Sequence, residues 1–183
     1  MVPAAGPVEL LYGPLFAALA PSGDDDAYAA AIELIYEGYL LHYRSSRVIA
    51  GPVELEARLL AGDYFYARGL QAIAETGDVV GVDLLSRLMA SCSCLRLAAA
   101  PFACDDDLWA FTVASMAAAR EGGGTRPADE FYEGFDGVLD NAAARLPGLV
   151  REYAAALPLA DRRPLDEVLS GATIANPGKL QEV

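Results

Sequence analysis

The sequence predicts an all-α protein, a bundle of several helices. Three observations predict it. Turn-forming residues fall at Pro21-Ser22-Gly23, Gly51-Pro52, Thr76-Gly77, Pro101, Gly122-Gly123-Gly124 and Pro147. The stretches between them consist of good helix formers, and their apolar residues recur at helical spacing. A short first helix is expected within Leu10 to Ala20. A second begins at the Asp24 to Asp26 run, which offers an N-cap and first-turn negative charge, and carries Ala30, Ile32, Leu34, Ile35, Leu40 and Leu41. The third runs from about Val53 to Glu75. The fourth runs from near Asp78 through Leu95 until Pro101 stops it, and the fifth from Asp105 to Arg120. A sixth is expected from Pro127 to Leu146, bent or broken at Pro147 and continuing to Leu157, with a last helix near Asp161 to Ile174.

The chain has 183 residues, one domain's worth, and shows no internal repeat and too little polar linker for two domains. Gly122 to Gly124 is the one expected internal hinge, and residues 175 to 183 read as a frayed tail. Helices three to five are apolar nearly all round, which suits a multi-helix bundle or an oligomer.

The 26 Asp and Glu against 13 Lys and Arg give a net charge of -13, which excludes phosphate-driven nucleic-acid binding and disfavours an anionic membrane surface. No apolar stretch reaches the ~18 residues of a membrane span. Leu10 to Ala20 lacks a basic flank and is preceded by Glu9, so it reads as a helix and not as a signal segment. Three cysteines, Cys92, Cys94 and Cys104, form no disulfide framework and suggest a reducing cytoplasm.

Few constellations carry chemistry. The aspartate runs 24–26 and 105–107 sit where helices begin and read as caps, since successive helical residues point about 100° apart and cannot chelate together. Cys92 and Cys94 point in roughly opposite directions on a helix and read as small buried apolar groups. His42 is the only histidine, and it has no serine or cysteine nucleophile in a recognisable context; a capping or structural role is expected. Asp136 and Asp140 have the i, i+4 spacing that puts two carboxylates on one helix face. They are the only intrinsic metal candidates, and weak ones, because Mg2+ needs further oxygen ligands; a solvated helix face is the plainer reading.

Two segments carry a family resemblance. Ala29-Ala30-Ala31-Ile32-Glu33-Leu34-Ile35 leads to Leu40-Leu41-His42, and Leu59-Leu60-Ala61-Gly62-Asp63-Tyr64-Phe65-Tyr66-Ala67-Arg68 follows. In order and spacing they resemble the polyprenyl synthetase family, the trans-isoprenyl diphosphate synthases. The run from Leu60 to Phe65 looks most like the non-catalytic first component of the heterodimeric heptaprenyl diphosphate synthases. The resemblance covers about 70 residues; beyond Ala100, Thr112-Val113-Ala114-Ser115-Met116 is similar to the family's Lys-Thr-Ala-Ser-Leu helix with its lysine replaced by Thr112. It implies an isoprenoid-synthase-type bundle, truncated or degenerate.

The family places a Mg2+-binding Asp-Asp-x-x-Asp directly after Leu-(Leu/Val)-His. Here those three positions hold Tyr43, Arg44 and Arg47, and the second motif is absent but for the remnant Asp136 to Asp140. Guanidinium groups repel Mg2+, so ionisation of a diphosphate by the family mechanism should fail on this chain, which is also much shorter than catalytic members. Arg44 and Arg47 either bind a diphosphate directly or serve as surface charges that pair with acidic residues of a partner.

The resemblance therefore implies the regulatory small subunit of a two-component polyprenyl diphosphate synthase, inactive alone. It would support chain elongation by a catalytic partner that holds the Mg2+ and the prenyl diphosphate, with no cofactor bound here. The family's dimers form through central helices, so Gly62, Asp63, Tyr64, Phe65, Tyr66 and Arg68 are expected at the interface; aromatics with Arg are common anchors there, and core packing explains some of them equally well. Two other readings stand beside this one: a stand-alone isoprenoid-diphosphate enzyme using Asp136 and Asp140 with Arg44 or Arg47, and a self-associating helical module that binds a prenyl or other apolar ligand.

Overall fold

A computed structural model describes the backbone of residues 2–3 and residues 8–21 and 26–171 in full. Among these the protein is all-α, as the periodicity predicts. The helices are α1 (Tyr12–Leu19), α2 (Asp26–Tyr43), α3 (Leu55–Glu75), α4 (Val79–Leu97), α5 (Phe102–Arg120), α6 (Arg126–Glu133), α7 (Ala142–Ala155) and α8 (Arg163–Leu169). The only strand pairing described is a two-residue antiparallel ladder, β1 (Val2–Pro3) on β2 (Ile49–Ala50), with Val2 opposite Ala50. Asp26 opens α2, while Asp24, Asp25 and the expected tail 175–183 lie outside the described residues. No described helix is long and apolar enough to cross a membrane.

Helix α5 forms the axis of the bundle. Every residue from Leu108 to Ala118 is buried, because α1, α4, α6, α7 and α8 all pack on it. The small residues Ala110, Ala114, Ala117 and Ala118 let neighbours approach, while Trp109, Phe111 and Met116 fill the space between them. Trp109 stacks on Tyr12 at 5.2 Å and meets Tyr36 and Tyr39 edge-on at 5.0 and 5.8 Å. These aromatic pairs join α1, α2 and α5 into one core.

Helix α3 rests on α2 by backbone contact. Gly38 of α2 faces Gly62 of α3, where a methyl group on Gly38 would come 2.9 Å from the Gly62 carbonyl oxygen. One turn pair further along, a methyl group on Gly69 would meet Ile35 Cγ1 at 2.4 Å and the Ala31 carbonyl oxygen at 2.7 Å. Only Gly62, Gly69 and Ile73 of α3 are buried, so the rest of the helix lies half-buried or open.

One expectation is corrected. Pro147 does not break the sixth helix; it lies inside α7, and the break falls earlier, in a 3-10 turn from Phe135 to Asn141 that follows Gly134. A 3-10 helix has three residues per turn, so Phe135 and Val138 stack on one side and are both buried. That packing outweighs the poorer hydrogen bonding of the tighter helix. At Gly122 to Gly124, Gly122 and Gly124 take φ of 85° and 76°, the left-handed region glycine reaches without strain, and a methyl group on Gly123 would meet Pro158 Cγ at 2.4 Å. The segment forms the turn between α5 and α6.

The glycine contacts make a paired test. Gly69→Ala should destabilise the protein by about 1–3 kcal/mol through overpacking, despite the better helix propensity of alanine. Gly148→Ala in α7, which meets nothing within 4 Å, should instead stabilise it by about 0.5–1 kcal/mol. Urea denaturation of both variants reads the signs, and a stabilising Gly69→Ala would refute the close crossing.

Candidate functional site

The end of α2 and the loop after it hold Tyr43, Arg44 and Arg47. The structure engages all three side chains within the chain itself. The Tyr43 hydroxyl lies 3.1 Å from Ser93 Oγ of α4. Arg44 donates to both carboxylate oxygens of Asp106 at 2.8 and 3.0 Å and to the Phe102 carbonyl at 2.9 Å. Its guanidinium lies 4.5 Å from the Phe102 ring, and Arg96 covers the same ring at 4.0 Å while pairing with the fully buried Asp105. The ring is thus held between two guanidinium groups, each neutralised by a carboxylate of α5.

Arg47 folds back along α2. Its Nη1 donates to Glu33 Oε2 at 2.6 Å and to the Glu9 carbonyl at 2.9 Å, and its Nε donates to Glu37 Oε2 at 3.0 Å. The guanidinium also sits 4.8 Å from the Tyr36 ring. Glu33 uses its other oxygen, Oε1, to accept from the backbone N–H groups of Leu11, Tyr12 and Gly13 at 2.8, 2.6 and 2.7 Å. Glu33 therefore caps α1 from another helix, in place of a local capping side chain. Glu37 accepts from Arg47 N at 3.0 Å and from the Ser46 hydroxyl, which fixes the loop.

The capping reading of 105–107 is corrected by this arrangement. Helix α5 begins at Phe102 with Pro101 before it and no side-chain cap, so the three aspartates lie inside its first two turns and point in different directions. Asp105 serves Arg96 and Asp106 serves Arg44. Burial pushes the Asp105 carboxyl above its ordinary range, with the Arg96 charge working against that push. Burial pushes Asp107 up to about 6, and Arg151 only partly counters it.

As ligands, the motif positions do not suit Mg2+, since they supply a phenol and two cations where the ion needs anionic oxygens. Asp136 and Asp140 lose the shared face expected of them. They lie in the 3-10 turn, where a four-residue step rotates a side chain about 120° away, and both are exposed. Among the described residues no three of His, Cys, Asp and Glu come together to hold a metal ion. A phosphate approaching Arg44 or Arg47 would compete with Asp106, Glu33 and Glu37 for the same N–H donors.

The second segment is divided between two faces. Gly62 is buried against the His42 ring, which stacks on Tyr66 at 5.1 Å; His42 Nε2 lies 3.1 Å from Asp63 Oδ1, an electrostatic contact without hydrogen-bond alignment. His42 is therefore a packing residue between α2 and α3. Asp63, Tyr64 and Arg68 are exposed, Phe65 and Tyr66 half-buried, and Arg68 donates to Gln71 at 2.7 Å. In α5, Thr112 is buried and its hydroxyl donates to the Leu108 carbonyl at 2.7 Å. Cys92 and Cys104 are buried and Cys94 half-buried, all as free thiols.

Sequence reasoning missed Glu33, Glu37, Asp105 and Asp106 as partners of the arginines. A signal existed for the first two: acids spaced i, i+4 within an apolar run need a cation, and Arg44 and Arg47 follow directly. The pairing of 105 and 106 with Arg44 and Arg96 spans unrelated segments and left no local trace.

Truncation by Arg47→Ala leaves two buried carboxylates unpaired and should destabilise the protein by about 3–5 kcal/mol, read by denaturant unfolding at pH 7. Asp107 binds its proton more tightly folded than unfolded, so its contribution favours folding below pH 4 and turns unfavourable as pH rises toward 6. Asp107→Asn should accordingly raise stability by about 2 kcal/mol at pH 7 and leave it unchanged near pH 3.5; a pH series of thermal melts checks this. No family model, curated protein or solved structure matches the chain.

Proposed function

We propose that the chain is a non-catalytic subunit, a degenerate isoprenoid-synthase-type bundle that supports prenyl-chain elongation by a catalytic polyprenyl diphosphate synthase in the cytoplasm. One observation carries the reading most of the way. Among the described residues, most of the large exposed apolar side chains lie on α3 and α4: Leu55, Leu59, Leu60 and Tyr64 on the first, Val79, Val80 and Leu97 on the second, with Leu60 70% and Leu97 89% exposed. Large apolar side chains left open to solvent are candidates for a protein contact. Four of them lie on α3, the helix bearing Gly62-Asp63-Tyr64, where the family resemblance puts the subunit interface.

The internal pairing of Arg44 and Arg47 supports the non-catalytic part of the reading. With those cations neutralised by this chain's own acids, the positions serve packing, and Mg2+ and both diphosphate substrates belong to the partner. The subunit contributes helix faces that complete the partner's elongation site from outside.

The test is a prenyltransferase assay with isopentenyl diphosphate, an allylic diphosphate and Mg2+, on this chain alone and with a catalytic subunit from the same organism. Turnover is expected only with both. Turnover by this chain alone would overturn the proposal in favour of a stand-alone enzyme, and binding of an apolar ligand without turnover in either case would favour a binding module. In the complex, Leu60→Asp or Tyr64→Asp should weaken association at least tenfold by ultracentrifugation while leaving circular dichroism and melting unchanged, since both side chains lie open.

A further inference from the structure

A second surface feature is independent of that interface. Helices α1 and α8 pack on each other and on α5, and an open cleft of about 290 Å³ lies along them. Its walls are Leu10, Leu11, Leu15, Ala18, Pro164 and Val168, and among the described residues the charged ones lining it are Glu9 and Glu167. Both carboxylates are exposed, and among the described residues neither makes an ion pair; Glu167 feels the charge of Arg163 one turn earlier, and Glu9 gives Arg47 only its backbone carbonyl. At the low end of ligand-pocket sizes, the cleft suits a short single chain better than a large rigid ring system.

The polar groups around the cleft select the sign of a ligand's head. Helix N-termini commonly hold anions through their free N–H groups. At α1 that capacity is used up, because Glu33 Oε1 already accepts from Leu11, Tyr12 and Gly13. A phosphate or carboxylate head would find no donor there and would face two glutamates. An ammonium head would find two acceptors of opposite charge.

We propose that this cleft binds a single-chain amphiphile with a cationic head, the alkyl tail lying between α1 and α8 and the ammonium beside Glu9 and Glu167. The apolar walls supply affinity in proportion to tail length, about fourfold per methylene buried. The glutamates supply selectivity, which is screened by salt because they are exposed.

The test is an NMR titration of the 15N-labelled full chain with n-octylammonium, octyl glucoside and octyl sulfate, each below its micelle concentration and at low salt. The expected result is saturable binding of octylammonium with shifts confined to α1 and α8, at least fivefold tighter than the glucoside, with the sulfate weakest. The pair Glu9→Gln and Glu167→Gln should weaken octylammonium about fivefold and leave the glucoside unchanged, and Ala18→Trp should block both. Since the protein is strongly acidic, the control pair Glu133→Gln and Glu152→Gln, outside the cleft, should change nothing. Equal loss from the control pair, equal affinity for all three heads, shifts spread over the surface, or no saturable binding would each overturn the proposal.

Discussion

One carboxylate holds the first third of the fold together. Glu33, buried in the middle of α2, gives one oxygen to three backbone N–H groups at the start of α1 and the other to Arg47 from the loop beyond α2. Three segments far apart in sequence meet at that group. A buried charge is tolerated only when its lone pairs are filled, and here both oxygens of Glu33 accept charge-assisted or helix-terminal bonds. Glu37 completes the arrangement by taking the remaining face of Arg47 and the loop backbone. Because α1 carries Tyr12 and Phe16 into the centre of the bundle, the position of this ion pair also sets the packing around Trp109.

The same logic recurs at the other side of the loop. Arg44 and Arg96 each meet an aspartate of α5, and Phe102 fills the gap between them. Arg44 is thus answered by an acid of α5, and Arg47 by two acids of α2. Each of these buried or half-buried cations is balanced by acids of the same chain, which keeps the end of the bundle folded around its charges.

The helical architecture was legible because it depends on local features: helix formers, turn residues and apolar spacing placed α1 to α5 within a few residues of their observed bounds. The Phe135–Asn141 turn was not, since its choice of a tighter helix follows from burying Phe135 and Val138 against neighbours distant in sequence. Asp136 and Asp140 were misplaced for the same reason, as a spacing argument is only as good as the helix type it assumes. His42 could be read as structural from its isolation, whereas its stacking on Tyr66 over Gly62 required the α2–α3 crossing. The roles of Asp105 and Asp106 depended wholly on which arginines the tertiary fold brought near.

The glycine-mediated seat of α3 on α2 bears on how such a protein could evolve. Since α3 buries only Gly62, Gly69 and Ile73 and packs Tyr66, Leu70 and Ala72 partly against the core, its exposed positions can change without disturbing the core. Drift there changes the exposed surface at little expense to folding. A lineage could therefore remodel this surface through a few substitutions on one helix, while the buried α5 axis stays the same.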